Sequence, residues 1–140
     1  MKTEQRLNIV YQNALEIPFN NKSKFIIFSD THRGDGSLSD EFTRNQNIFN
    51  YALNYYYEHE FTLIEAGDGD ELWEHKNYSV VINAHLESFN MLQRFHDDNR
   101  YYRIYGNHDI YLKDHNYLKQ FLYLYENRYT GEKHPFFENL

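Results

Sequence analysis

The sequence predicts an α/β fold, a mostly parallel sheet with flanking helices laid down in βαβαβ order. Three observations predict it. Short apolar runs recur at Phe25–Phe28 (FIIF), Phe61–Ala66 (FTLIEA) and Tyr101–Tyr105 (YYRIY). Apolar residues at helical spacing fill the intervals between them. Each run then ends in a polar cluster built from Gly, Asp, Asn and His. Strand–helix–strand–helix–strand is the rhythm of parallel units joined by right-handed crossovers.

Residues 1–20 are mixed and read as a short helix or loop, with Ile17-Pro18-Phe19 leading into the first strand. Phe25–Phe28 is too short and too continuous for a surface helix, and reads as a strand buried on both faces. Phe42, Phe49, Leu53 and Tyr56 predict a helix over about 40–59, with Ile48, Ala52 and Tyr55 on the adjoining face. FTLIEA is the second buried strand. Val81, Ala84, Ser88, Leu92 and Phe95 mark one further helix, capped near Ser79. YYRIY is the third strand. A last helix starts near Asp114, with Tyr117, Phe121 and Leu124 on one face.

The 140 residues amount to one domain, long enough to bury a core without covalent staples. Its bulk comes largely from 14 Tyr and 11 Phe, and no linker divides it. Without cysteine there is no disulfide, thiolate nucleophile or Cys-based zinc site. A net charge of −7 argues against strong nucleic-acid binding, which needs clustered Lys and Arg. It leaves room for a small phosphorylated substrate if a metal ion supplies the positive charge. No segment approaches the roughly 20 apolar residues of a membrane span, and MKTEQRLNIVYQN lacks a signal-peptide core, so the expected location is cytoplasmic.

Ligands of open α/β sheets bind beyond the carboxyl ends of the strands. Here those ends read Ser29-Asp30-Thr31-His32, Gly67-Asp68-Gly69-Asp70-Glu71 and Gly106-Asn107-His108-Asp109. Asp30 and Asp68 are 38 residues apart, and Asp68 and Asn107 are 39 apart. One βαβ step separates each pair, which should bring all three clusters to the same sheet edge. Carboxylate, imidazole and amide donors together suit Mn²⁺, Fe²⁺ or Zn²⁺.

D-x-H, G-D-x-x-E and G-N-H-D, in this order at strand ends, resemble the calcineurin-like metallophosphoesterase family over about residues 24–110. The wording SDTHRGDG and GDGDELWE looks like a bacterial branch of it. The resemblance implies two divalent ions, Mn²⁺ first among the candidates, and hydrolysis of phosphate mono- or diesters by a two-metal-activated hydroxide. The substrate would be a small phosphorylated molecule or a phosphoprotein. Position by position, it makes Asp30 and His32 ligands of the first metal, Asp68 the bridging carboxylate and Asn107 a ligand of the second. His108 would stand over the phosphate, with Asp109 orienting its imidazole. Arg33, beside His32, is a candidate for contact with the substrate phosphate.

The family adds further histidines in G-H and G-H-x-H motifs, and neither occurs here. His115 and His134 read as solvated side chains, and His85 and His96 as helix-surface residues. The chain is therefore expected to correspond to the N-terminal half of an α/β/β/α sandwich, a C-terminally truncated domain whose second metal position is incomplete. An uncovered apolar sheet face, open to self-association, follows from that expectation. Trp73 would pack over the site or in the core.

Two other readings compete. A binding or scaffold module could keep the phosphoesterase fold without turnover. A haloacid-dehalogenase-type phosphotransferase would want a second Asp where His32 stands. An EF-hand reading of the loop around Asp70 fails at Leu72 and Trp73.

Overall fold

A computed structural model describes residues 2–122. Three parallel strands form one sheet in the order β1 (Phe25–Phe28), β2 (Thr62–Ala66), β3 (Tyr101–Ile104). Five α-helices accompany it among the described residues: α1 (Thr3–Gln12), α2 (Phe42–Glu58), α3 (Tyr78–Ala84), α4 (Leu86–Asp97) and α5 (His115–Leu122). A 3-10 turn spans Ile110–Lys113. No helix among these residues is long and apolar enough to cross a membrane.

The parallel register aligns Ile26, Leu63 and Tyr101 across the sheet, and two residues on it aligns Phe28, Glu65 and Arg103. Side chains alternate between faces along a strand, so these six share one face. Phe42, Phe49 and Leu53, spaced by seven and four residues, turn one stripe of α2 toward this side. Phe89, Leu92 and Phe95 do the same from α4, which packs directly on α2. The core sits between that helical layer and this one face.

The other face carries Ile27, Ile64, Tyr102 and Ile104. Ile27 is 60% exposed and Ile104 59% exposed. The expectation that β1 is buried on both faces is therefore corrected. Its unbroken apolar run packs on one side: Ile26 and Phe28 join the core, whereas Ile27 on the other face is exposed.

Two more local readings change. The single helix expected through Val81–Phe95 is two, broken at His85, whose backbone (φ −126°, ψ 36°) leaves the helical region. The cap of α3 is Asn77, not Ser79: its Oδ1 accepts from the Ser79 amide at 3.1 Å. The last helix begins at His115 after the 3-10 turn, with Leu118 buried and Tyr117 and Phe121 half-buried. Leu124 and His134 lie outside the described residues.

Leu53 is fully buried within this core. Leu53→Ala should destabilise the fold by roughly 2–5 kcal/mol, read as a lowered urea midpoint at unchanged slope.

Candidate metal centre

Beyond the strand ends, the three loops continue side by side. The amides of Asp30, His32 and Arg33 donate to the carbonyls of Gly67, Asp68 and Gly69 at 3.0–3.1 Å, and the Glu71 amide returns to the Arg33 carbonyl at 2.9 Å. This irregular ladder requires unusual backbone. Asp30 (φ 55°), His32 (φ 46°) and Asp68 (φ 52°) all occupy the left-handed region. Short polar side chains enter it more readily than others do, and such residues concentrate at functional sites. Gly106 has a simpler reason to be glycine, since a Cβ there would stand 2.0 Å from Asp68 Oδ1. Only a bare backbone lets the Asp68 carboxylate lie across the β3 loop, where it accepts from the His108 amide at 2.8 Å.

The side chains converge as these loops do. His32, Asp68 and His108 each offer a ligand atom, and the three atoms lie within 4.8 Å of one another. Asp30 stands at the rim, its Oδ1 3.9 Å from His32 Nε2 and its other oxygen accepting from the Ser29 hydroxyl. Asn107 is exposed on the neighbouring loop.

Glu71 organises both imidazoles. His32 Nδ1 approaches Glu71 Oε2 at 3.0 Å, and His108 Nδ1 approaches the same oxygen at 2.7 Å. A carboxylate only accepts, so each Nδ1 carries a proton and each Nε2 is left for other work. Burial pushes the Glu71 carboxyl up, but the hydrogen bonds from His108 and His32 hold it below its ordinary value. The reciprocal bond to Glu71 raises the His108 pKa above that of a free imidazole. Trp73 stacks on His108 with ring centres 4.2 Å apart and planes 29° from parallel.

Asp109 does not have the orienting role expected of it. Its carboxylate accepts from the Gly69 amide at 2.9 Å, the Gly106 amide at 2.7 Å and Arg103 Nη2 at 2.6 Å, strapping the β2 and β3 loops together. Glu71 holds the ring in its place. The only sequence signal for this was the final position of G-D-x-x-E, three residues after Asp68.

Arg33 is also corrected. It is fully buried, with Nε on Asp70 at 2.7 Å and Nη1 on Glu65 at 2.5 Å, and so faces away from any phosphate at the site. Arg103 Nη2 reaches Asp70 Oδ2 at 2.8 Å, and the Tyr78 hydroxyl donates to that oxygen at 2.8 Å. Burial pushes the Asp70 carboxyl up, yet Arg33 and Arg103 together bring it down to about 2. His85 is a third correction. It is fully buried rather than on a helix surface, with Nε2 2.7 Å from Asp40 and Nδ1 2.8 Å from Gln46. Asp40 in turn accepts from the amides of Gly34, Gly36 and Phe42, shaping the loop after β1. His96 is half-buried and His115 exposed.

The donor set fits a divalent cation. With Nδ1 occupied by Glu71, His32 Nε2 is the free donor, and its 3.9 Å separation from Asp30 Oδ1 is a span that one ion can bridge at about 2.1 Å from each. Two clefts flank His32. One of about 240 Å³ is lined by Ser39, Glu41, Glu74, His75 and His108 among others, and one of about 340 Å³ runs between β1 and α2.

Comparison with known proteins adds no relative: no family model, no curated protein and no solved structure matches the chain.

Two predictions follow from the buried charges. Arg103→Met should cost roughly 3–5 kcal/mol in a denaturant titration, because Asp70 and Asp109 would lose a partner in the interior. Acid should act through Asp40 as well. Burial raises its pKa, but the Gly36 amide and His85 outweigh that and leave it depressed. A depressed carboxylate contributes stability above its unfolded pKa, near 3.9, and loses it as pH falls through the lower folded value. Asp40→Asn should therefore flatten the acid limb of a stability-versus-pH curve while lowering stability at pH 7.

Proposed function

We propose that this chain is a metal-dependent phosphoesterase of the calcineurin-like type, acting in the cytoplasm on phosphate mono- or diesters. One observation carries the reading: His32, Asp68 and His108 bring ligand atoms within 4.8 Å of one another at the carboxyl edge of three parallel strands. Asp30, His32, Asp68 and Asn107 would hold the ions, with Mn²⁺ preferred and Fe²⁺ or Zn²⁺ compatible with the same donors. Bound ions of this kind supply Lewis acidity and positive charge to phosphoryl oxygens.

The chain's own residues do the rest. Glu71 fixes the His108 ring through Nδ1. In the charged imidazole, Nε2 then carries a proton that can be given to a departing alkoxide. Trp73 stacks over one face of that ring. A positioned general acid contributes typically 10²–10⁴-fold.

Mn²⁺-dependent release of nitrophenol from nitrophenyl phosphates is the first assay. Asp68→Ala should abolish it. His108→Gln should cost more than about 100-fold on an alkyl phosphate and less on the nitrophenyl ester, whose leaving group needs no proton. Hydrolysis independent of added metal, or unaffected by Asp68→Ala, would rule the reading out.

A further inference from the structure

We propose, building on the phosphoesterase reading, that the substrate is a singly phosphorylated ester with an uncharged, apolar body, and that this body lies in the cleft between β1 and α2. The cleft holds about 340 Å³, within the range of small-molecule sites. Phe28, Phe42, Ile48, Phe49 and Ala52 make its wall, while Asp30 and His32 close one end. A phosphate held by ions at His32 and Asp68 would have this apolar surface beside it, with Thr31, Glu41 and Asn45 as the remaining polar lining of the cleft.

Charge points the same way. Neither cleft is lined by a Lys or Arg among the described residues. Arg33 and Arg103, on the loops and strand that carry the site, are turned inward onto Glu65, Asp70 and Asp109. Glu41 borders both clefts and Glu74 borders the smaller one. A second phosphate on the substrate would meet carboxylates on either side of the centre and neither a lysine nor an arginine to offset them. Bound metal can neutralise one phosphoryl group, and a nucleoside di- or triphosphate would carry uncompensated charge. The smaller, polar cleft suits water and a departing hydroxyl, and the larger one suits hydrocarbon.

The inference is tested by calorimetry on the full chain loaded with Mn²⁺, using methyl-, butyl- and hexylphosphonate as non-hydrolysable probes. Affinity should rise about threefold to fourfold for each methylene that enters the cleft. Ile48 is 77% exposed on α2 and belongs to no part of the metal site, so Ile48→Asp should fold normally. It should flatten the series while leaving Mn²⁺ and methylphosphonate binding unchanged. Ala52→Leu, which fills the cleft from the same helix, should weaken only the longer probes. Equal affinity across the three phosphonates in the wild-type chain would overturn the inference, and so would a rising series that neither substitution alters. In both cases Mn²⁺ and methylphosphonate would still bind, and the phosphoesterase reading would survive. Failure to bind either one would remove that reading and this inference together.

Discussion

The site depends on a cluster of charges beneath it. Two guanidiniums, Arg33 and Arg103, face three carboxylates, Glu65, Asp70 and Asp109, and all five side chains are fully or almost fully buried. Desolvating each of them costs several kcal/mol, which only close, multiply bonded contacts offset. Arg33 meets that condition fully and Arg103 in part, since Arg103 Nε and Nη1 are buried without a hydrogen-bond partner. Arg33 places separate nitrogens on Asp70 and Glu65, and one nitrogen of Arg103 lies between Asp70 and Asp109. A planar fork with fixed donors can do this, whereas the single ammonium of a lysine has no equivalent. Tyr78 and Tyr101 add hydroxyl donors to Asp70 and Glu65.

These five residues come from β2, β3 and the three loops that leave the sheet, so the cluster joins the loops to one another as well as to the strands. Rigid support of this kind lets the backbone above it hold unfavourable conformations. Asp30, His32 and Asp68 all keep positive φ, at a cost of order 1 kcal/mol or more each. With the loops pinned, Glu71 finds two imidazoles at once and sets both tautomers. The order of dependence runs from buried charge to strained loop to oriented ring. If the centre holds ions as proposed, support of this kind would form it beforehand and lower the reorganisation that binding would otherwise require.

Much of this was legible in the sequence because it depends on period and spacing. Apolar runs of strand length marked β1, β2 and β3, and steps of 38 and 39 residues brought Asp30, Asp68 and Asn107 to one sheet edge. What was not legible depends on pairing across the fold. Nothing local distinguishes Arg33, in a polar loop, from a solvated arginine. Its burial follows from Glu65 and Asp70, more than 30 residues away. The same holds for His85, whose partner Asp40 is 45 residues distant. The exchange of roles between Asp109 and Glu71 turns on a side-chain direction that no spacing rule fixes. The apolar run of β1 suggested burial on both faces, yet a strand's composition does not report which face a helix covers.

Electrostatics also constrains the order of events on the phosphoesterase reading. The chain carries a net charge of −7, and Asp30, Asp68, Glu71, Glu41 and Glu74 surround the centre. The two arginines that could have drawn a phosphate in are spent on the interior cluster. A bare site would therefore repel an anionic ester. The same carboxylates attract a divalent cation, and each ion bound reverses the local sign. On that reading metal would have to enter first, and the phosphate would then bind a surface that the ions had made positive. Turning Arg33 and Arg103 inward thus does two things at once. It ties the loops together, and on the phosphoesterase reading it would leave anion recognition to the bound ions and the His108 imidazole.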